Sequence, residues 1–158
     1  MVTLETKRKD TRKHIASVRG YIGEIVFNLQ RRSLAHDQSK LEEPEVDGFY
    51  EMAQELKLSD TTYGSDEYRA ILKKYKASTI QHHYENNDHH PEHFERGWYA
   101  MNYLQKLELL ADWKAATMRM KDGDLRESIF KNADRFGYDD RETSNLISTA
   151  QELGWLSV

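Results

Sequence analysis

The scarcity of residues that interrupt helices is the feature that most constrains how this chain can fold. Two prolines and eight glycines are spread over 158 residues, and no convincing stretch alternates β-branched with polar residues. Helix is therefore the default secondary structure. We expect an all-α fold with about six helices, arranged as a single helical-bundle domain over residues 1–158.

The first predicted helix is long and carries an apolar stripe. It spans about 5–32, and its apolar residues recur at three- and four-residue steps, which predicts a buried face. His14 lies four residues before Val18 and is expected on that same buried face. The predicted stripe consists of Ile15, Val18, Ile22, Ile25, Val26 and Leu29.

The remaining helices are predicted from apolar periodicity, caps and breaks. After a segment from Gln38 that stops near Pro44, we expect helices at 45–56, from an N-cap at Ser65 to the histidines 82 and 83, and then at 101–120, 125–136 and 141–153. A turn containing Ser59, Asp60 and Gly64 separates the first two, and Gly154 ends the last. No internal repeat or linker is evident.

Composition excludes several classes of site and partner. The chain has no cysteine, so a metal would have to be held by imidazole and carboxylate. No run approaches the roughly 18 apolar residues of a membrane span, and the polar, basic N-terminus does not have the pattern expected of a secretory signal. We therefore expect a cytoplasmic protein, in the host cytoplasm if a phage encodes it.

Charge argues against general nucleic-acid binding, because the formal net charge is −4 and such binders usually need a basic face. The basic residues between Lys7 and Lys13 are interpreted as a solvated helix turn. A small phosphorylated ligand remains compatible with this charge, since its site needs only a few local cations.

The histidines and acidic residues suggest a site. The neighbours His36 and Asp37 offer an imidazole nitrogen and a carboxylate oxygen to one divalent cation, although such a pair alone is weak evidence. In an otherwise apolar helix segment, Glu108 and Asp112 lie four residues apart and so share a face. Like charges on a partly buried face are unfavourable unless a cation or a proton separates them.

A third segment, from His82 to Glu92, holds four histidines, two asparagines and three acidic residues within eleven positions. His83 and Asn87 are four residues apart and can point at one place. His89 and His90 follow in a segment that Pro91 restricts. This composition is poor core material and suits a ligand shell, although a metal-free histidine-rich surface loop is the alternative.

The order His14, His36-Asp37, His83, a further histidine and Asp112 resembles the HD-domain metal-dependent phosphohydrolases. The segments His36-Asp37-Gln38-Ser39-Lys40, His83 to Glu92 with its His-His-Pro-Glu, and Glu108 to Trp113 look like a phage and bacterial branch of that superfamily. The resemblance covers about 10–118 and implies a helical bundle of HD type with the metal site in that part. The helices in 123–158 lie outside it.

The resemblance implies a role for each matching residue. His14, His36, Asp37 and Asp112 would bind one metal, and His83 with His89 or His90 would correspond to the extra histidines of two-metal members. Lys40 would face the substrate phosphate. The Gly-Tyr-Pro element of the cyclic-dinucleotide branch is missing, which places that specificity in doubt.

The expected reaction is hydrolysis of a phosphoester, with a nucleotide as the substrate class by analogy. One or two divalent ions (Mn, Fe, Mg, Co or Zn) would activate water, with Asp37, Lys40 and Glu108 as the catalytic residues. Glu108 is favoured as the group that orients a ligand histidine through its second nitrogen. Two alternatives remain: a di-iron oxygenase on the same scaffold, and a non-catalytic regulatory or binding protein of phage type stabilised by its metal.

Overall fold

The computed structural model describes residues 2–59, 65–119 and 122–157. Within these ranges it contains α-helices, short 3₁₀ turns and no strand, so the prediction of an all-α fold is confirmed. The predicted turn residues Asp60 and Gly64 and the predicted helix end at Met120 lie outside the described residues. The chain divides into two compact units, Met1–His36 and Asp37–Val158. A single domain of HD type over 1–158 stays a prediction.

The first unit contains one helix, α1 (Leu4–Ala35). The side chain of Thr3 caps it by accepting a hydrogen bond from the backbone N–H of Thr6. The prediction of a buried stripe on this helix is wrong, because no residue of α1 is buried. Ile22 is 55% exposed, and His14 is exposed as well. Within its own unit, a lone helix has no second element to cover an apolar face.

The second unit contains six α-helices in the ranges that the structure describes. They are α2 (Glu45–Leu58), α3 (Asp66–Tyr75), α4 (Gln81–Asn86), α5 (Tyr103–Met118), α6 (Leu125–Phe136) and α7 (Asp140–Glu152). A π-helical segment, Lys76–Ile80, joins α3 to α4 without a break. Short 3₁₀ turns lie at Gln38–Leu41, Pro91–His93 and Gly97–Ala100. These bounds agree with the predicted helices to within about three residues, as far as the described residues extend.

The caps at Ser65 and Gly154 agree with the prediction, whereas the cap at Asn102 was not predicted. Ser65 is the N-cap of α3, and its hydroxyl accepts from the N–H of Tyr68. Asn102 and Gln105 form a reciprocal capping box at the start of α5, which satisfies donors that the helix leaves unbonded. Gly154 follows α7 with a φ of 69°, a left-handed conformation that glycine adopts without a steric cost.

The core of the second unit lies between α5, α6 and α7. Leu110 and Ile129 are 0% exposed, and burying each contributes about 1.5–3 kcal/mol to stability. Aromatic rings pack beside them, with Trp98 nearly parallel to Trp113 at 6.2 Å between ring centroids. The buried cluster consists of Trp98, Met101, Leu109, Leu110, Trp113, Leu125, Ile129, Tyr138, Leu146 and Ala150.

Helix α5 therefore has two different faces. Leu109, Leu110 and Trp113 are buried in the core. Glu108 and Asp112 are half-buried and lie one helical turn apart. Packing of the apolar face fixes the rotation of α5 and, with it, the direction of the two carboxylates.

In the ranges that the structure covers, no helix combines the length and apolar character that a membrane span needs.

Candidate metal centre

Asp37 begins the second unit in an unusual backbone conformation. Its φ is 56°, in the left-handed region, which aspartate tolerates better than most residues other than glycine. Strained positions of this kind often lie at functional sites. The following 3₁₀ turn starts at Gln38, and the N–H of Lys40 donates to the carbonyl oxygen of Asp37.

His83 lies in α4, near the end of the continuous helix 66–86. Its side chain is 4% exposed. The π-helical segment just before α4 changes the rotation of the helix between Tyr75 and Gln81. Insertions of this kind are frequent at functional sites.

His89 and His90 lie in the segment between α4 and the 3₁₀ turn that starts at Pro91. The N–H of His90 donates to the carbonyl of Asn87, and Gln105 of α5 donates to Asp88. These bonds hold the segment against the start of α5. His89 is 1% exposed.

Four side chains converge in the second unit. Asp37, His83, His89 and His90 each offer one ligand atom, and all four atoms lie within 4.8 Å of one another. Asp37 Oδ1 lies 3.5 Å from Nε2 of His83 and 3.5 Å from Nε2 of His89. The Nε2 atoms of His83 and His90 are 2.9 Å apart. One carboxylate and three imidazoles are a donor set that divalent transition metals accept.

Burial favours the neutral form of two of these imidazoles, His83 and His90. Burial and the neighbouring His89 and His83 lower the pKa of His90 from 6.5 to about 3, against the opposing effect of Asp112 and Asp37. Burial and the charge of Lys40 also lower the pKa of His83, although the carboxylates of Glu45 and Asp37 oppose them. Neutral imidazole is the form that binds a cation.

The predicted carboxylates of α5 lie beside this group. Glu108 Oε1 is 3.2 Å from Nδ1 of His89, and the Glu108 side chain is 10% exposed. One carboxylate oxygen of Asp112 lies within 4.8 Å of an oxygen of Asp37. The predicted role of Glu108, orienting a ligand histidine through its second nitrogen, stays a prediction.

Lys40 is held next to the same group. Its ammonium donates to Asp37 Oδ2 at 2.6 Å and lies 5.5 Å from the ring centroid of Phe49. The side chain is 38% exposed, so it reaches solvent as well as the site.

Glu45 was missed by the sequence analysis, which singled out Glu108. It is the first residue of α2, and it is 0% exposed. Oε1 lies 2.8 Å from Nδ1 of His82, and Oε2 lies 2.9 Å from Nδ1 of His83. Burial raises its pKa, but hydrogen bonds from His82, Ser39 and His83 outweigh burial, so the pKa lies below its ordinary value.

A contact made by Arg135 of α6 was also missed, because the sequence analysis placed the site within about 10–118. The guanidinium of Arg135 donates to Glu92 at 2.5 Å and to the hydroxyl of Tyr84 at 3.3 Å. The ring of Tyr84 lies 5.1 Å from that of His90. These contacts connect α6 to the segment from His82 to Glu92, called the histidine segment below.

The two other predicted ligands belong to the first unit. His36 is the half-buried C-cap of α1 and is joined by a peptide bond to Asp37. His14 lies on the exposed surface of α1. Their assignment as ligands stays a prediction.

A family model described as a family of unknown function, DUF5662, matches residues 3–154. The chain belongs to this family. The match spans both units, including α6 and α7. No curated protein and no solved structure matches the chain significantly.

Proposed function

We propose that this DUF5662 protein is a metal-dependent phosphohydrolase that cleaves a phosphoester, with a nucleotide as the expected substrate class. The observation that carries the proposal is the convergence of Asp37, His83, His89 and His90 on one point of the second unit. Three imidazoles and one carboxylate fit a divalent cation, and the absence of cysteine agrees with a hard or borderline metal.

A divalent cation bound there would supply the Lewis acidity that activates water and offsets charge on a phosphoryl group. The other chemistry belongs to the chain. Lys40 is close enough to Asp37 to offer its ammonium to a non-bridging phosphate oxygen next to the centre. Glu108 orients His89 through Nδ1 and keeps its Nε2 directed at Asp37.

The rest of the predicted ligand set belongs to the proposal too. Asp112, near Asp37, provides a second carboxylate, which is compatible with either one or two ions. We include His36 because it is the neighbour of Asp37 in the chain, and His14 because of the resemblance. Mn, Fe, Mg, Co and Zn remain the candidate metals, and we expect the protein to act in the cytoplasm.

The first test is elemental analysis of the purified protein, followed by a phosphate-release screen over nucleoside monophosphates, deoxynucleoside triphosphates and cyclic nucleotides. We expect a divalent metal and turnover of at least one class. Asp37→Ala and His83→Ala should abolish both binding and turnover. His93→Ala is the matched control, because His93 lies in the same segment but outside the converging group. Turnover that survives Asp37→Ala would refute the assigned centre.

The same samples separate the alternatives. Bound iron with an oxygen-dependent optical change, without phosphate release under anaerobic conditions, would favour an oxygenase. Metal whose removal lowers the melting temperature, with no turnover in any assay, would favour a non-catalytic binding protein.

A further inference from the structure

Glu45 is the most completely buried carboxylate in the described part of the chain, although nothing in its local sequence marks it. Burying a carboxylate is unfavourable unless hydrogen bonds satisfy its oxygens. Three donors do so here: Ser39 Oγ at 2.9 Å, His82 Nδ1 at 2.8 Å and His83 Nδ1 at 2.9 Å. Its place in the first turn of α2 adds a favourable interaction with the helix dipole.

The contacts of His83 Nδ1 determine where the ring proton sits. Two polar atoms are close to Nδ1: Glu45 Oε2 at 2.9 Å and Asn87 Nδ2 at 3.0 Å. A carboxylate oxygen only accepts, so an Nδ1 without a proton would face it with a lone pair.

The amide of Asn87 does not need His83 as an acceptor. Its nitrogen carries two hydrogens, and two acceptors are already in place, Ser39 Oγ at 2.7 Å and the carbonyl oxygen of His83 at 2.8 Å. Ser39 in turn donates to Glu45. Oε2 of Glu45 therefore has a donor in His83 only when the ring proton of His83 is on Nδ1 and points at Glu45.

We propose that Glu45 is a positioning residue that holds His83 in the Nδ1-protonated tautomer and so leaves Nε2 available to bind a cation. This inference rests on the metal centre of the proposed function. Nε2 of His83 points at Asp37 Oδ1 and at His90 Nε2, at 3.5 and 2.9 Å. Removal of a partner that orients a metal-binding histidine typically weakens metal binding by about 10- to 100-fold.

The tautomer of His83 has a consequence for His90. With a lone pair on Nε2 of His83, the 2.9 Å contact is favourable in the metal-free protein only if His90 carries its proton on Nε2. A cation that binds both nitrogens requires that proton to leave, and a neutral His90 then carries it on Nδ1. We expect metal binding to change the tautomer of His90 and to leave that of His83 unchanged.

The test is long-range ¹H–¹⁵N NMR of the histidine rings in the full chain labelled with ¹⁵N-histidine, metal-free and then with Zn²⁺. We expect Nδ1-protonated His83 in both states. Glu45→Met, which keeps length but removes the acceptor, should lose this preference and bind Zn²⁺ about 10- to 100-fold more weakly by calorimetry. Glu45→Gln should restore the tautomer, because an amide oxygen can accept the same proton.

His82→Gln is the matched control, because His82 contacts the other oxygen of Glu45 and lies outside the converging group. It should leave the tautomer of His83 unchanged. If Glu45→Met does not fold, the wild-type spectrum still tests the inference, because it reports the tautomer of His83 directly. His83 protonated on Nε2 without metal, or a folded Glu45→Met that keeps both tautomer and affinity, would overturn the inference.

The outcome is independent of catalysis. Nδ1-protonated His83 in a protein that releases no phosphate supports the role of Glu45 and counts against the hydrolase. Turnover by a protein whose His83 is protonated on Nε2 supports the hydrolase and counts against the role of Glu45.

Discussion

His83 and His90 face each other with their Nε2 atoms 2.9 Å apart, and burial disfavours a positive charge on either ring. Two neutral imidazole nitrogens at this distance can share one proton or bind one cation. Oδ1 of Asp37 lies 3.5 Å from His83 Nε2, and its carboxylate can compensate the charge of that proton or cation.

We therefore predict that Zn²⁺ or Mn²⁺ raises the melting temperature of the metal-free protein and that His90→Ala reduces the increase. A ligand at 100 times its dissociation constant stabilises the folded state by about 2.7 kcal/mol. Differential scanning fluorimetry over a metal titration measures the effect, with His93→Ala as control. An equal increase in His90→Ala would exclude His90 as a ligand.

Tyr138 should make stability depend on alkaline pH. It is 5% exposed, and its hydroxyl donates to the carbonyl of Ile129. Burial, and then the charge of Glu142, raise its pKa above the ordinary value of 10. Its contribution is complete below pH 10 and is lost as pH rises further, because the unfolded chain releases the proton first.

Urea unfolding at pH values on either side of 10 tests this prediction. Tyr138→Phe should lose about 1 kcal/mol at neutral pH, because the carbonyl loses its donor. It should also show a shallower loss of stability above pH 10 than wild type. Parallel curves for the two proteins would contradict the assignment.

Gly48 should not tolerate alanine, although it lies inside α2. An added Cβ would lie 1.8 Å from Thr79 Oγ1 in the π-helical segment. We expect Gly48→Ala to lower the free energy of unfolding by about 1–3 kcal/mol, instead of the usual gain of up to about 1 kcal/mol for alanine in a helix.

Two controls separate the clash from helix propensity. Gly48→Ala combined with Thr79→Ala should recover part of the loss, because Oγ1 and Cγ2 are gone. Gly20→Ala, with nothing within 4 Å of the new Cβ, should raise helicity measured by circular dichroism. No recovery in the double variant would mean that Thr79 is not the obstacle.

The contributions of Glu92 and Arg135 to the free energy of unfolding should be coupled, because their 2.5 Å contact connects α6 to the histidine segment. Their side chains are 28% and 55% exposed, so we expect a coupling of about 1 kcal/mol or less. A double-mutant cycle with Glu92→Gln and Arg135→Gln measures it. The exposed pair Lys131 and Glu127 on the same helix is the control, and equal coupling energies would deny Glu92–Arg135 any special role.

Much of the secondary structure follows from the sequence alone. The cap at Ser65 is predicted from a side chain that bonds to the backbone a few residues away, and helix periodicity is equally local. The pairing of Glu108 and Asp112 on one face of α5 has the same origin. The candidate residues Asp37, His83, His89 and His90 were also found in the sequence, from their chemistry and the resemblance.

Burial and convergence required the tertiary structure. The apolar stripe of α1 looks identical in sequence whether it is covered or exposed, and the structure leaves Ile22 exposed. Glu45 is one of many acidic residues at helix starts until packing buries it between His82 and His83. The physical reason is range: helix formation and capping depend on neighbours within about four residues. Burial of a carboxylate depends on elements that lie far apart in the chain and meet only on folding.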